Sequence, residues 1–360
     1  MKKMITALAA SAAALIAVNS AGAQTLDKVK ACFIYVGPIG DYGYSYQHHQ
    51  GALDMQKAIG EDKVELSYLE SVPEGADTER ALERLARSGC NIIFATSFGF
   101  MDGTNAVAGK FPDIKFEHAT GFKREHPNVS TYNSKFHEGR YVQGVIAAKM
   151  SQKGVAGYIA SFPIPEVVMG IDAFVLGAQS VNPDFKVKVV WANTWFDPGK
   201  ESDAAKALFD QGVDIVTQHT DSTAPMQVAH ERGGKAFGQA TDMIKFGPET
   251  QLTAIVDDWA PYYIERVKAL MDGTYKQIDV WGGMKEGHVV MAPYTNMPDD
   301  VKKLAEEAEA KIKSGEFNPF TGPIKKQDGS EWLAAGAVAP DSELLGLNFY
   351  VDGVDDKLPQ

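Results

Sequence analysis

The sequence predicts an α/β chain built as two Rossmann-like lobes. Three observations carry that expectation. Short, β-rich apolar runs alternate with amphipathic helical stretches, the spacing of βαβ units on a parallel sheet. The alternation runs from residue 30 to residue 119, then restarts near residue 138 over a similar length. The chain is 360 residues long, which suits two units of this kind.

Residues 30–36 (KACFIYV) form an apolar run closed by Gly37-Pro38, the pattern of a buried strand. Residues 48–59 carry Ala52, Leu53, Met55, Ala58 and Ile59 in a helical stripe that Gly60 stops. A second strand spans 64–69. Residues 77–88 put Ala81, Leu82, Leu85 and Ala86 on one helical face, and Gly89 stands where a C′ glycine would end it. Residues 91–96 (NIIFAT) and 115–119 are the third and fourth strands. In the second run, helices over 138–150, 167–181, 201–211 and 224–232 alternate with strands over 155–160, 186–191, 215–218 and 235–239. Asn182-Pro183 and Gly212 supply stops. A further strand is expected over 252–256, a helix over 261–271 and a charged amphipathic helix over 299–314. From Lys325 onward periodicity is weak, and the tail is expected to wrap the surface. No sequence repeat joins the two runs, so the duplication is architectural.

The first 23 residues stand apart. Lys2 and Lys3 precede a mostly apolar stretch over 4–18, and Ala21-Gly22-Ala23 provides a small-x-small cleavage site before Gln24. This is the pattern of a secretory signal peptide. No cysteine near the cut offers a lipid anchor, so the expected location is the bacterial periplasm. The balance of 47 acidic against 35 basic residues, net charge −12, runs against nucleic-acid binding. Two cysteines are too few for a disulfide scaffold or a four-cysteine zinc site. Cys32 and Cys90 head the first and third strands, neighbours in a doubly wound sheet ordered 2-1-3. An oxidising compartment leaves a disulfide open. Two buried thiols is the favoured expectation, because strand neighbours rarely offer the bonding geometry. His48 and His49 point about 100° apart on a helix, which suits a surface pair better than a metal chelate.

Catalytic signatures are missing. There is no GxSxG, HExxH or Walker A motif, and no GxGxxG follows the first strand. The unusual composition gathers at strand C-terminal ends, where open α/β sheets bind ligands. Gly40-Asp41-Tyr42-Gly43-Tyr44 follows the first strand and Thr96-Ser97-Phe98-Gly99-Phe100 the third. In the second run the loops are Ser161-Phe162-Pro163, Trp195-Phe196-Asp197-Pro198, His219-Thr220-Asp221-Ser222 and Thr241-Asp242. Rings beside carboxylates fit a flat ligand: the rings stack on its faces, and the carboxylates accept from its edge N–H groups. The expected stacking residues are Tyr44, Phe98 and Trp195. The expected polar clamps are Asp41, Ser97, Asp221 and Asp242. No catalytic group, metal or cofactor is expected.

The motifs GPIGDYGYSYQHHQG (37–51), VPEGADTERALERLA (72–86), TSFGFMD (96–102), FPDIKFEHATG (111–121) and DWAPYYIERVKALMDGTY (258–275), with long stretches over 160–183 and 195–225, resemble the basic membrane protein family of ABC-transporter substrate-binding proteins, the purine-nucleoside-receptor-like group. The resemblance implies a type I periplasmic-binding-protein fold, two Rossmann-like lobes joined by a hinge that the chain crosses three times. It implies an N-terminal lobe of 24–132 and 253–285, a C-terminal lobe of 133–252 and 286–325, and a surface tail over 326–360. It also implies a purine ligand and an ABC permease in the inner membrane as partner.

In the family's nucleoside binders an aromatic in the first loop stacks on the base, and Tyr44 stands in the matching place. Asp41 lies in the family's acidic loop, though Gly40 replaces the neighbouring acid, and Asp242 matches an aspartate of a late second-lobe loop. Two positions depart from the family. Tyr35 stands where the nucleoside binders have an aspartate, and Asp257 where they have a lysine associated with the ribose. Without that lysine the ribose hydroxyls would be poorly satisfied, so a free purine base, adenine-like, is expected over a nucleoside. A sugar or other small polar metabolite on the same fold is the alternative. A secreted nucleoside-cleaving enzyme with Asp41 as general base is the third reading.

Overall fold

Two six-stranded sheets form the computed structural model, which describes residues 25–359. The expected signal peptide over 1–23 lies outside the described residues. In the first lobe, β1 (Val29–Ile34), α1 (Tyr44–Ile59), β2 (Val64–Leu69), α2 (Ala76–Arg87), β3 (Ile92–Ala95), α3 (Met101–Lys110), β4 (Lys115–Ala119) and β5 (Val129–Ser134) follow in order. The second lobe holds α4 (Phe136–Met150), β6 (Val155–Ala160), α5 (Pro165–Gln179), β7 (Lys186–Trp191), α6 (Pro198–Asp210), β8 (Ile215–His219), α7 (Ala224–Glu231), β9 (Lys235–Gly238) and β10 (Gln251–Asp257). The chain then returns through α8 (Ala260–Met271) and β11 (Asp279–Gly282) to the first lobe, and ends in the second with β12 (Val289–Met291) and α9 (Asp299–Ser314).

The sheet orders are β11-β5-β4-β3-β1-β2 and β12-β10-β9-β8-β6-β7. The two orders superimpose strand for strand, which is the architectural duplication the alternation predicts. Every strand pair of the first sheet is parallel, and in the second only β12 on β10 runs antiparallel. Parallel strands covered on both faces explain why most strands read as unbroken apolar runs.

β5 and α3 are among the elements that the sequence pattern does not reveal. β5 (VSTYNS) is polar in sequence, yet its hydroxyls are taken up inside: Thr131 donates to Asp279 Oδ1 at 2.7 Å, and Ser130 Oγ lies 3.2 Å from the Tyr275 hydroxyl. Helix α3 has little apolar contrast, and Gly103 lets it approach α2, where an added β-carbon would lie 2.8 Å from Thr78 Cγ2.

Three expectations are corrected. Residues 253–257 belong to the second lobe, because β10 completes its backbone hydrogen bonds on β9 before the chain crosses at Asp258. The tail is not merely a surface wrap. Its weakly periodic residues Leu344, Leu347, Tyr350, Val351 and Val354 are buried in the core of the second lobe, and Val354 bridges Val187 of β7. Cys32 and Cys90 form a disulfide with Cα atoms 6.0 Å apart. Cys90 stands outside the β3 ladder, after Gly89 at φ +89°, and is therefore released from strand geometry. Both cysteines pack in one apolar cluster.

The returning helix α8 is fixed by a buried pair. Arg266 Nε lies 2.9 Å from Glu117 Oε1 on β4, and the Tyr262 and Tyr275 hydroxyls donate to the same carboxylate. Such a pair adds little net stability, but leaving either charge alone would be costly, so it specifies where α8 docks.

Candidate functional site

The C-terminal strand ends of both sheets face each other across the crossing segments. Between them lies a narrow cavity, placed where open α/β sheets bind ligands. The first lobe contributes Val36 after β1, Tyr44 at the start of α1, Ser97 and Phe98 after β3, and Thr120 after β4. The second contributes Phe136 and Glu166 from the first turns of α4 and α5, Trp195 after β7, His219 and Asp221 around the end of β8, and Gln239 after β9.

Five of the seven expected residues line this cavity: Tyr44, Ser97, Phe98, Trp195 and Asp221. Asp41 and Asp242 do not. Asp41 is buried beneath the first loop, where its carboxylate accepts from the backbone N–H groups of Gly43 (2.8 Å), Tyr46 (3.0 Å) and Ser45 (3.3 Å). It shapes the turn that presents Tyr44, and Tyr42 takes φ +61° within that turn. Burial pushes the Asp41 carboxyl up to about 6, against the pull of those N–H groups. Asp242 is exposed and caps the next turn, accepting from Ile244 N (3.0 Å) and Gln251 Nε2 (2.7 Å).

The polar atoms of the wall are only partly paired. The Tyr44 hydroxyl, Trp195 Nε1 and His219 Nδ1 are buried and have no hydrogen-bond partner in the protein. The Gln239 carbonyl oxygen accepts from Arg140, so its NH₂ end is left to donate into the cavity. Arg140, itself fully buried, is held by Gln143 (3.1 Å) and Thr217 (3.0 Å). Ser97 donates to Glu74 at 2.6 Å, which leaves its oxygen as an acceptor. Burial, and then the neighbouring Asp41 and Glu201, pushes the Asp221 carboxyl up. Asp257 at the end of β10 is fully buried, and neither carboxylate oxygen has a partner. Burial and then Glu166 raise its pKa, with Arg140 opposing.

The histidine pair is corrected as well. Both rings are buried rather than on the surface. His48 stacks on Trp259 at 4.4 Å between centroids and bonds the Tyr263 hydroxyl, while His49 Nδ1 lies 3.3 Å from the Tyr35 hydroxyl. Tyr35 is fully buried in the first lobe's core and does not line the cavity. The cluster is a wall behind Tyr44, whose ring meets His48 edge-on at 4.3 Å.

Sequence reading missed Glu166, Phe136, Gln239, Val36, Thr120 and His219. Val36, Thr120, Gln239 and His219 sit at strand ends and could have been found by position. Glu166 and Phe136 enter from helix starts, where no composition signal marks them. A backbone signal exists, since Thr120 and Ala240 take φ +61° and +60° beside the cavity, and such strain gathers at functional sites. Among the described residues no group of histidines, cysteines or carboxylates could hold a metal ion.

Residues 28–319 match the Bmp family, described as ABC transporter substrate-binding protein PnrA-like. A protein of Brucella abortus (strain 2308) named a purine-binding protein is 70% identical over 338 residues, which is 94% of this chain and 96% of its own length. A protein of Haloferax volcanii whose name assigns it glucose binding in an ABC transporter is 34% identical over 95% of this chain and 84% of its own. An ABC transporter solute-binding protein of Aeropyrum pernix K1 has the same fold, with a TM-score of 0.71 at 20% identity over 88% of this chain and 97% of that one.

Proposed function

The chain belongs to the Bmp family of PnrA-like ABC transporter substrate-binding proteins, and from that premise we propose that it captures a purine nucleobase, adenine-like, by closing its two lobes around it. The observation that carries this reading is the mixed set of polar groups with spare hydrogen-bonding capacity around one small cavity. The unpartnered Trp195 Nε1 and the Gln239 amide offer donors, and Asp221 with the Ser97 Oγ lone pairs offers acceptors. A purine edge alternates ring-nitrogen acceptors with N–H donors, so it can satisfy both kinds. Tyr44, Phe98 and Trp195 supply ring faces for a flat heterocycle. The Brucella abortus relative's name supports the same class.

The protein delivers its cargo to a permease outside the cytoplasm, in the periplasm if the N-terminal segment is cleaved as its pattern suggests. Binding and release involve no covalent step. A sugar is the second reading, favoured by the name of the Haloferax volcanii relative, since carboxylates also accept from hydroxyls. Calorimetry with adenine, guanine, adenosine, guanosine and glucose decides between them. Adenine is expected to bind tightest; tighter adenosine or glucose would overturn the base assignment.

A further inference from the structure

Beside the cavity lies a second, roomier chamber. Phe98, Thr120 and Glu166 line both spaces, so the two adjoin through a doorway these side chains frame. The doorway is polar: Glu166 lies 3.5 Å from His219 Nε2 on one side and accepts from Asn133 Nδ2 at 3.2 Å on the other. Beyond it the walls turn apolar, with Phe122, Ile164, Pro165, Met169 and Leu345. Phe122 and Leu345 are 59% and 50% exposed and come from opposite lobes. They are among the few large apolar side chains the described surface leaves uncovered. The turn between the chambers is preformed, because Thr120 holds φ +61° and a side chain at Gly121 would collide with the His118 ring.

We propose that this chamber receives an apolar substituent carried by the purine, so that the protein binds N-alkyl or N-arylmethyl purines more tightly than the bare base. The inference rests on the purine reading above. A secondary amine at the doorway keeps one N–H to donate to Glu166, and its hydrocarbon passes into the apolar chamber.

Calorimetry of the full chain with adenine, N6-benzyladenine and N9-benzyladenine tests this, on the wild type and on a Phe122→Ala/Leu345→Ala variant. Both replaced side chains are largely exposed and neither lines the first cavity. N6-benzyladenine is expected to bind about tenfold tighter than adenine, as burying ~60 Å² of ring predicts, and N9-benzyladenine, which has no N–H at its substituted nitrogen, is not. The variant should lose that gain and keep its adenine affinity. N6-benzyladenine binding no tighter than adenine overturns the chamber assignment, as does a gain that persists in the variant. Adenine itself reports separately: its failure to bind would overturn the purine reading.

Discussion

Gly43 of the first lobe meets the Asp221 backbone of the second so closely that no side chain fits between them. A β-carbon at Gly43 would collide with the Asp221 carbonyl oxygen and lie 2.8 Å from its Cα. Around this contact the lobes are latched by further groups. Gln47 Nε2 donates to the Asp257 carbonyl at 2.8 Å, and the Lys245 ammonium sits 3.4 Å above the Tyr42 ring. The lobes are therefore closed, and closure requires a glycine at this position.

Gly43→Ala should oppose closure alone. The Gly43 backbone, at φ −118°, lies outside the left-handed region, and the added methyl meets Asp221 of the other lobe. The expected result is at least ~tenfold weaker ligand binding, about 1.4 kcal/mol, with the unliganded melting temperature unchanged. Calorimetry and small-angle scattering with ligand read the two effects, and undiminished affinity would show that the contact does not govern closure.

Asp257→Asn should stabilise the protein at neutral pH. The carboxyl is fully buried and unpartnered, and burial raises its pKa, so folding at neutral pH must either protonate it or bury its charge, a cost of about 1–3 kcal/mol or more that a neutral amide escapes. Urea denaturation should show the gain, and a variant no more stable than the wild type would refute it.

The pH dependence can be isolated at His118. Burial lowers its pKa from 6.5 to about 4, while Nε2 holds the Ser97 carbonyl at 2.8 Å. Because the folded pKa lies below the unfolded one, the native state binds fewer protons. Its contribution is thus complete above pH 6.5 and lost as pH falls through about 4. Against His118→Gln, which can retain the donor, the wild-type stability difference should be flat above that window and shrink within it by up to about 3 kcal/mol. Denaturant titrations at several pH values measure this, and a difference that stays constant to pH 4 would refute it.

Removing the Cys32–Cys90 bridge, which closes a loop of sequence separation 58, should cost about 2–4 kcal/mol by relaxing the unfolded chain. A Cys32→Ala/Cys90→Ala variant compared with the wild type in urea gives the value. Ligand affinity should be unaffected, because neither cysteine lines the cavity.

The sequence was sufficient for what depends on local periodicity. Apolar runs, helical stripes and stop residues placed most strands and helices and exposed the duplicated α/β pattern. Because ligand sites in such sheets follow strand ends, it also reached Tyr44, Ser97, Phe98, Trp195 and Asp221. It did not reach β5, whose buried Ser130 and Thr131 hydroxyls find their partners Tyr275 and Asp279 on a segment over 140 residues away.

What only the tertiary structure decided is where non-local partners meet. Asp41 and Asp242 read as ligand clamps because a loop carboxylate looks the same in sequence whether it faces a cavity or caps its own turn. The free backbone N–H groups nearby settle the matter for both. His48 read as a surface residue because its cover, Trp259 and Tyr263, comes from the start of α8 after the chain recrosses between lobes, and His49 because Tyr35 and Tyr68 reach it from neighbouring strands. Glu166 and Gln239 join one cavity only after two sheets close face to face. A one-dimensional pattern records which faces are apolar; it holds no record of which distant polar groups will satisfy one another once those faces are buried.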